Sequence, residues 1–153
     1  ATKTIGVVIP ELNNTFCAEI ITGMEDILRS HGYATIVCDC RTDKKLEKEA
    51  VEFLIRKRGD GIINMPVDGE GNHLKKFQKT GKPIVLIDRS IQGVECDSVL
   101  VDNQKAAEDA EAKIFFYRMD IRTSGSLVVR MMFLPHRSVL KDIRKLCLKP
   151  GFL

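Results

Sequence analysis

The chain has 153 residues, 29% of them charged, and a formal net charge of +3. This length is typical of one soluble domain that can bury a sizeable core. The longest apolar runs, IGVVIP and PIVLI, are far shorter than the roughly 20 residues of a membrane helix, so the sequence predicts no membrane span. The five cysteines are an odd number, and Val, Ile and Leu already supply a core. This pattern argues against a disulfide scaffold and indicates a reducing, cytoplasmic setting.

A strand and a helix are predicted directly from the N-terminus. Thr4 to Pro10 is a nearly unbroken apolar run that ends in Pro, which is typical of a strand buried on both faces of a parallel sheet. A helix follows, with Asn14 or Thr15 as its cap and Gly32 as its end. Its apolar side chains recur at helical spacing, at Phe16, Ile20, Ile21, Met24 and Leu28.

The same cycle of strand and helix then repeats along the chain. Helices are predicted at Lys44–Arg58 and Asn72–Thr80, and strands at Tyr33–Asp39, Gly61–Met65, Pro83–Asp88 and Ser98–Val101. Such alternation implies right-handed crossovers and an α/β fold with an open, doubly wound parallel sheet. Ligands of such sheets sit beyond the carboxyl ends of the strands. The candidate site therefore lies in the loops that follow Pro10, Asp39, Met65, Asp88 and Asp102.

The distribution of charge changes abruptly near Glu111. Residues 113–153 carry nine Lys or Arg against only Asp120 and Asp142, whereas residues 1–112 carry fifteen basic and nineteen acidic side chains. A swing of this size within a short chain calls for separate interpretations of the two parts. We therefore predict one α/β lobe at residues 1–112 and a different, basic tail at residues 113–153.

Several segments in register resemble the LacI/GalR family of bacterial transcription regulators. They are IGVVIPELNNTFCAEIITGMEDILRSHGY, GDGIINMP, GKPIVLIDRS and DSVLVDNQKAA. The resemblance spans residues 3 to about 110 and implies the first lobe of an effector-binding domain with the type I periplasmic-binding-protein fold. It also implies a sugar-like effector in a cleft between two lobes, a homodimer, and DNA binding only through an N-terminal domain. The chain begins at Ala1 without a Met, so we expect that an upstream segment with that helix-turn-helix domain is missing.

The tail does not continue the family pattern in its own reading frame. Met119 to Val129, written in permitted codons and read from the third base, gives Gly-Tyr-Lys-Asn-Ile-Gly-Phe-Ile-Gly-Gly, which resembles the start of the second lobe. In the same frame, Lys141 to Phe152 can give a segment that resembles the next helix of that lobe. We therefore interpret residues 113–153 as an out-of-frame tail produced by a single frameshift near codons 108 to 113. The alternative is a genuine nucleic-acid-binding arm, because clustered Lys and Arg bind phosphates without sequence preference.

The apolar run from Gly125 to Leu134 suggests a structural role for part of this tail. It contains the β-branched residues Val128 and Val129. We expect it to add a strand to an exposed sheet edge, or to drive self-association if it is left uncovered.

Six residues are the candidate ligand contacts. Asp88 and Arg89 follow a buried strand, and a carboxylate beside a guanidinium suits hydroxyl-rich or anionic ligands. Asn13 and Asn14 supply amide groups, and Phe16 offers a flat apolar face that can stack on a sugar ring. Met65, followed by Pro66, ends a neighbouring strand.

Each of these residues also has a structural alternative. Asn14 is a good helix cap, and Phe16 is a good core residue. Asp88 could cap the following loop while Arg89 lies in solvent. Asp102 and Asn103 match a recurrent pair of the resembled family, but they are also typical of a turn and helix cap at the end of a strand.

Metal and catalytic sites are not predicted. Cys38 and Cys40 share one face of a strand, but no second pair or nearby His completes a tetrahedral metal site. His31, His73 and His136 have no nucleophile or carboxylate at catalytic spacing. The segment from Lys44 to Glu49 reads as an ordinary solvated helix face. We therefore expect no enzyme activity and no cofactor.

Two further classes of function stay open at this stage. One is the sugar-binding protein of a transport system, which shares the fold. The other is a flavodoxin-like binding or signalling domain with a natural basic tail.

Overall fold

The computed structural model describes residues 1–89, 91–94, 96–101, 119–121 and 127–131, with side chains up to Ser98. These residues form seven strands and three helices within the described ranges. In chain order they are β1 (Thr4–Ile9), α1 (Thr15–Ser30), β2 (Ala34–Asp39), α2 (Lys44–Arg56), β3 (Gly61–Asn64), α3 (Asn72–Gln78), β4 (Ile84–Asp88), β5 (Asp97–Val101), β6 (Met119–Ile121) and β7 (Leu127–Met131).

The described strands form one sheet in the order β2-β1-β3-β4-β5-β7-β6. Every pairing is parallel except that of β6 with β7. The helices α1, α2 and α3 make the crossovers between the parallel strands, as parallel pairing requires. From β1 the chain first adds β2 on one side and then β3, β4 and β5 on the other side. The sheet is therefore doubly wound, as the alternating pattern predicts.

The sheet is covered on both faces, and β1 divides its side chains between them. Ile5, Val7 and Ile9 belong to the core cluster beneath α1, whereas Val8 belongs to the cluster beneath α2 and α3. Gly6 faces Leu54 of α2, and a Cβ on Gly6 would lie 2.3 Å from Leu54 Cδ1. A glycine here therefore lets α2 approach the sheet closely.

Helix α1 begins and ends where its sequence predicts. Asn14 Oδ1 accepts hydrogen bonds from the backbone N–H groups of Phe16 (2.9 Å) and Cys17 (3.4 Å), which confirms Asn14 as the cap. The helix stops at Ser30, and Gly32 takes a positive φ of 78° just beyond it. Its buried positions recur at helical spacing: Cys17, Ile20, Gly23, Met24 and Leu28.

The predicted ends of α2 and α3 are each two residues too long. At the end of α2, Arg58 N donates to Ile55 O (3.0 Å), and Arg58 has a positive φ of 55°. At the end of α3, Thr80 N donates to Phe77 O (2.9 Å). Both bonds join a residue to the third residue before it, as in a 3₁₀ turn, instead of the fourth as in an α-helix. Each α-helix therefore ends earlier than its apolar spacing indicates.

Part of the basic tail joins the sheet. β7 lies within the apolar run from Gly125 to Leu134 and pairs parallel with β5, from Ser98↔Val128 to Val101↔Met131. The predicted addition of a strand to the sheet edge is therefore confirmed. Residues 102–118, 122–126 and 132–153 lie outside the described residues, and with them Asp102, Asn103 and His136.

Candidate functional site

The carboxyl ends of β1, β2, β3 and β4 meet along one edge of the sheet. This follows from their parallel pairing, in which Val8 is opposite Asn64 and Asn64 is opposite Leu86. The loops that carry all six predicted contact residues leave the sheet from this edge. We refer to it below as the strand-end edge.

The first loop contributes two exposed amides and one half-buried ring. Asn13 and Asn14 are exposed, although the Oδ1 atom of Asn14 is engaged in capping α1. Phe16 is half-buried and packs against the core cluster beneath α1. Part of its ring therefore serves the core, and the remaining part is open to solvent at the first turn of the helix.

Met65 lies under the strand-end edge rather than on it. Its side chain is only 4% exposed, and Cys17 Sγ lies 3.5 Å from Met65 Sδ. Pro66, the next residue, is also buried. These contacts make Met65 part of the floor that supports the first turn of α1.

Asp88 has an unusual backbone conformation. It ends β4, is half-buried, and has a φ of 77°. A positive φ is uncommon for residues other than glycine, although Asp tolerates it better than most. Non-glycine residues in such conformations cluster at functional sites because the surrounding structure must hold them there.

The charge of Asp88 reaches the N-terminal turn of α1. The pKa of the Cys17 thiol is raised chiefly by its burial, and the nearby carboxylates of Asp88, Glu11 and Asp39 raise it further. A hydrogen bond with the Glu11 backbone acts in the opposite direction. Asp39 and Asp88 end β2 and β4, and Glu11 lies in the loop after β1. Their charges all act on this part of the strand-end edge and favour a ligand that donates hydrogen bonds.

The charge of Arg89 acts on a different neighbour. Its side chain is exposed, and its positive charge is one of several groups that lower the pKa of Asp68. The largest of these effects is the hydrogen bond from Lys44, followed by the backbone N–H of Glu70. Arg89 thus lies near the connection between β3 and α3, whereas Asp88 lies near α1.

A buried polar network lies behind the strand-end edge, and sequence reasoning missed it. Glu47 on α2 is 1% exposed, and its Oε1 atom accepts a hydrogen bond from Asn64 Nδ2 (3.0 Å). The backbone N–H of Val67 lies 3.4 Å from both Glu47 oxygens, and His73 Nε2 lies 3.4 Å from Oε1. The carboxylate therefore ties α2 to β3 and to the connection that leads into α3.

This network corrects the interpretation of Lys44 to Glu49 as a solvated helix face. Lys44, Lys45, Lys48 and Glu49 are exposed, but Glu47 is not. Glu47 occupies the same stripe of α2 as the buried Val51 and Leu54, at spacings of four and three residues. Extending that apolar stripe by one turn toward the N-terminus would have revealed its inward position. The network also gives His73 a carboxylate neighbour that the sequence did not indicate.

The described residues contain few other candidates for chemistry. Among them, no group of three or more His, Cys, Asp or Glu side chains could hold a metal ion. No helix in the same ranges is long and apolar enough to cross a membrane. The cysteines from Cys17 to Cys96 are free thiols.

Comparison with known proteins agrees with this architecture. Residues 2–116 match the family described as periplasmic binding proteins and sugar binding domain of the LacI family. The HTH-type transcriptional regulator RegA of Clostridium acetobutylicum is 35% identical over 71% of this chain and 33% of its own length. Catabolite control protein A of Priestia megaterium is 32% identical over the same shares of the two chains.

A solved structure has a similar fold over the matched part of the chain. It is a periplasmic binding protein/LacI transcriptional regulator from Alkaliphilus metalliredigens complexed with D-xylulofuranose, with a TM-score of 0.57 and 27% identity. The alignment covers 66% of this chain and 36% of that one. The present chain thus spans about a third of the length of the curated relatives that it matches.

Proposed function

This chain belongs to the family of periplasmic binding proteins and LacI-family sugar-binding domains, and on this premise we propose that it is the first lobe of an effector sensor. In the intact regulator, a sugar-like molecule would bind between this lobe and a second one. Binding would then control how a separate helix-turn-helix domain holds DNA. The relatives' names as transcriptional regulators support this role over that of a transport protein or a flavodoxin-like domain.

The observation that carries the proposal is the position of Asp88 on the strand-end edge. Its carboxylate ends a buried strand in a backbone conformation that only a supporting structure maintains. It shares this edge with Asn13, Asn14 and Phe16, which supply amides and an aromatic face. Carboxylates accept hydrogen bonds from hydroxyl groups, amides both accept and donate them, and aromatic rings stack on the apolar face of a sugar.

We assign different roles to the remaining predicted residues. Arg89 would reach a polar or anionic part of the effector from the side of Asp68. The side chain of Met65 is almost fully buried, so it would not contact the effector directly. Met65 would instead support the first turn of α1 by packing against Cys17. No catalytic role or cofactor forms part of the proposal. The parent regulator would act in the cytoplasm, where its DNA is.

The proposed lobe should bind its effector weakly when alone. A ligand in a two-lobed cleft makes contacts with both lobes, and each lost hydrogen bond removes roughly 1 kcal/mol of binding free energy. We therefore expect binding that is detectable by nuclear magnetic resonance but too weak for most other methods.

The test is a titration of the ¹⁵N-labelled chain with D-xylulose, D-ribose and D-glucose. We expect at least one sugar to shift the amide signals of Asn13, Phe16 and Asp88 in a saturable way. Asp88→Asn should weaken this response, because asparagine keeps the backbone tolerance of aspartate but loses its charge. Asp26→Asn, an exposed change on α1, serves as the control and should leave the response intact. Saturable shifts that avoid the strand-end edge, or an unaltered response in Asp88→Asn, would contradict the proposal.

A further inference from the structure

The edge of the sheet opposite the strand-end edge is formed by the amino ends of the parallel strands. Ile5 of β1 is opposite Gly61 at the start of β3, and Ile62 is opposite Ile84 at the start of β4. Each crossover helix returns the chain to the amino end of the next strand, so α1, α2 and α3 end on this side of the sheet. We refer to it below as the amino-end edge.

Basic side chains collect at the amino-end edge. Among the strand starts, the helix ends and the connections between them, Arg29 pairs with Glu25, and the acidic side chains are Asp60 and Asp97. The remaining basic side chains come from the start of the chain, the end of α2 and the connection between α3 and β4. They are Lys3, Arg56, Lys57, Arg58, Lys79 and Lys82. The amino-end edge therefore has more positive than negative groups.

These six side chains form no ion pair within 4 Å among the described residues. Neutral aromatic rings hold two of them instead. Lys3 Nζ lies 4.5 Å from the centroid of the Tyr33 ring, and Lys57 Nζ lies 5.6 Å from that of Phe53. A ring attracts an ammonium group without removing its charge, so both charges stay available to a partner.

The helix end and the nearest carboxylate of α2 have partners of their own. Lys82 Nζ donates to Arg58 O (3.0 Å) and so satisfies a free carbonyl at the end of α2. The pKa of Glu52 is lowered chiefly by its hydrogen bond from Lys76, and the charge of Arg56 contributes less. The other basic groups of this edge are therefore in excess of what the helix ends require.

The start of the chain is tied into the same edge. Asp60 accepts hydrogen bonds from the backbone N–H groups of Thr2 (3.0 Å) and Lys3 (2.8 Å), and Thr2 Oγ1 donates to Arg58 O (3.1 Å). These bonds occupy the Asp60 carboxylate and place the start of β1 beside the end of α2. The helix-turn-helix domain of the proposed regulator would therefore join the lobe at the amino-end edge.

The two edges differ in character. At the strand-end edge, the charges of Asp88, Glu11 and Asp39 act together on the first turn of α1, and the apolar side chains of Leu12 and Leu46 are exposed. Among the described residues, no large apolar side chain is exposed at the amino-end edge. Surfaces that bind membranes combine basic with exposed apolar side chains. The amino-end edge thus fits a hydrophilic polyanion better than a lipid surface.

We propose that the amino-end edge is an interaction surface that binds the phosphate backbone of double-stranded DNA. The choice of DNA rests on the proposed function, in which a domain attached at this edge holds DNA. Packed helices lie about 8 to 10 Å apart, and duplex DNA carries one negative charge per roughly 1.7 Å of its axis. The ends of α2 and α3 together therefore face several phosphates. This contact adds affinity and reads no sequence, because phosphates carry no sequence information.

The test is the binding of the full chain to a fluorescein-labelled DNA duplex, measured by fluorescence anisotropy at several salt concentrations. We expect binding that tightens as the salt concentration falls and that is the same for duplexes of different sequence. Lys57→Gln/Lys79→Gln removes two charges of the amino-end edge. It should make the plot of the logarithm of the binding constant against that of the salt concentration less steep by about 2. Both side chains are exposed, so the variant should fold.

The matched control is Lys45→Gln/Lys48→Gln, which removes the same charge from exposed positions near the start of α2. A second control, Lys141→Gln/Lys145→Gln, removes the same charge from the basic tail. The amino-end variant should lose more of the salt dependence than either control. An equal or smaller loss would mean that net charge or the tail holds the DNA and would overturn the proposal, as would the absence of binding to the wild-type chain.

Two further measurements separate this surface from its alternatives. Tighter binding to vesicles of equimolar phosphatidylserine and phosphatidylcholine than to the duplex would identify a membrane as the partner and overturn the proposal. Asp88→Asn should bind DNA no more weakly than the wild-type chain, and Lys57→Gln/Lys79→Gln should keep the sugar-dependent amide shifts. Failure of the effector site and failure of the DNA surface can therefore be told apart.

Discussion

At the scale of single residues, Glu47 shows how one buried carboxylate can join three elements. Its oxygens hold Asn64 of β3 and approach the backbone of Val67 and the ring of His73 at the start of α3. A buried charge is tolerated only when it has such partners. Its removal would leave the Asn64 amide and the Val67 N–H unsatisfied.

We therefore expect Glu47→Ala to lower the free energy of unfolding by about 2 to 4 kcal/mol, the range for a broken buried polar network. Glu47→Gln, which keeps one acceptor oxygen, should have a smaller effect. Urea unfolding at neutral pH would measure both. The exposed neighbour Glu49→Ala is the control and should change stability by roughly 0.5 kcal/mol or less. Equal effects of Glu47→Ala and Glu49→Ala would show that the network adds no stability.

The Cys40 thiol makes a second prediction at this scale. Burial, followed by the charge of Glu47, raises the pKa of Cys40 from 9.0 to about 12. Its Sγ lies 2.9 Å from Ile9 O, as a thiol donor would. Because the folded state holds this proton more tightly than the unfolded state, the stabilisation is complete below pH 9 and is lost as the pH rises toward about 12.

Denaturant unfolding measured at several pH values should detect this loss. The free energy of unfolding of the wild-type chain should fall more steeply between pH 9 and about 12 than that of Cys40→Ala. Iodoacetamide should label Cys40 slowly at pH 8, because the thiolate is the reactive form. Parallel pH profiles for the two proteins would exclude this role for Cys40.

At the scale of elements, the contact of α2 with β1 depends on the absence of a side chain at Gly6. A Cβ there would lie 2.3 to 2.9 Å from three atoms of Leu54, closer than atoms can approach. Interiors pack densely and resist added volume. The helix would have to move outward, or Leu54 would have to leave its rotamer.

Gly6→Ala should consequently destabilise the protein by about 1 to 3 kcal/mol, as overpacked cores do. A double-mutant cycle with Leu54→Ala separates this clash from general effects on the strand. Thermal or urea unfolding of the four proteins gives the coupling energy. We expect Gly6→Ala to be much less harmful when Leu54 is already alanine, and additive effects would contradict the packing explanation.

β2 is one of the two edge strands of the described sheet, so one side of its backbone is not paired with another strand. Val37 on this strand is 40% exposed, and Leu12, whose N–H donates to Asp39 at the end of β2, is 50% exposed. Exposed apolar side chains beside a sheet edge are typical of protein interfaces. From these two exposed side chains we propose that β2 lies in the interface of the homodimer that the resemblance to the LacI/GalR family implies.

The expected result is a dimer by sedimentation equilibrium that Val37→Lys weakens, because a charge would be buried at the interface. Lys79→Glu changes the charge by a larger amount at the residue that follows α3, and it should not alter the association. A monomeric wild-type chain at all concentrations would rule out the dimer.

At the scale of the whole molecule, the charge boundary near Glu111 is the most unusual feature. The family match extends to residue 116, and the tail beyond it contributes the short antiparallel pair β6 and β7 at the far edge of the sheet. Apolar β-branched sequence can pair with an open sheet edge without having been selected to do so. The position of β7 is therefore compatible with the hypothesis of an out-of-frame tail.

Sequencing the encoding DNA across codons 100 to 153 tests that hypothesis. We expect the frame read from the third base to spell the second-lobe segments that start opposite Met119 and Lys141. Codons that do not spell these segments would make the tail a genuine part of the protein. Its nine basic side chains would then become the first surface to examine for a nucleic-acid partner.

The sequence by itself determined the alternation of strands and helices up to Val101, because periodicity and caps act locally. Asn14 caps the start of α1 and Gly32 follows its end, and both roles depend on neighbouring residues, so they are visible in the chain. The strand-end edge was predictable for the same reason, since parallel strands place their carboxyl ends together.

Only the tertiary structure decided how the side chains at that edge are used. It gave Asp88 a positive φ near α1, placed the charge of Arg89 where it lowers the pKa of Asp68, and buried Met65 against Cys17. It also made Glu47 an interior residue, because its partners Asn64 and His73 lie 17 and 26 residues away in the sequence. Contacts between such distant residues depend on how the elements pack, and no local pattern encodes them.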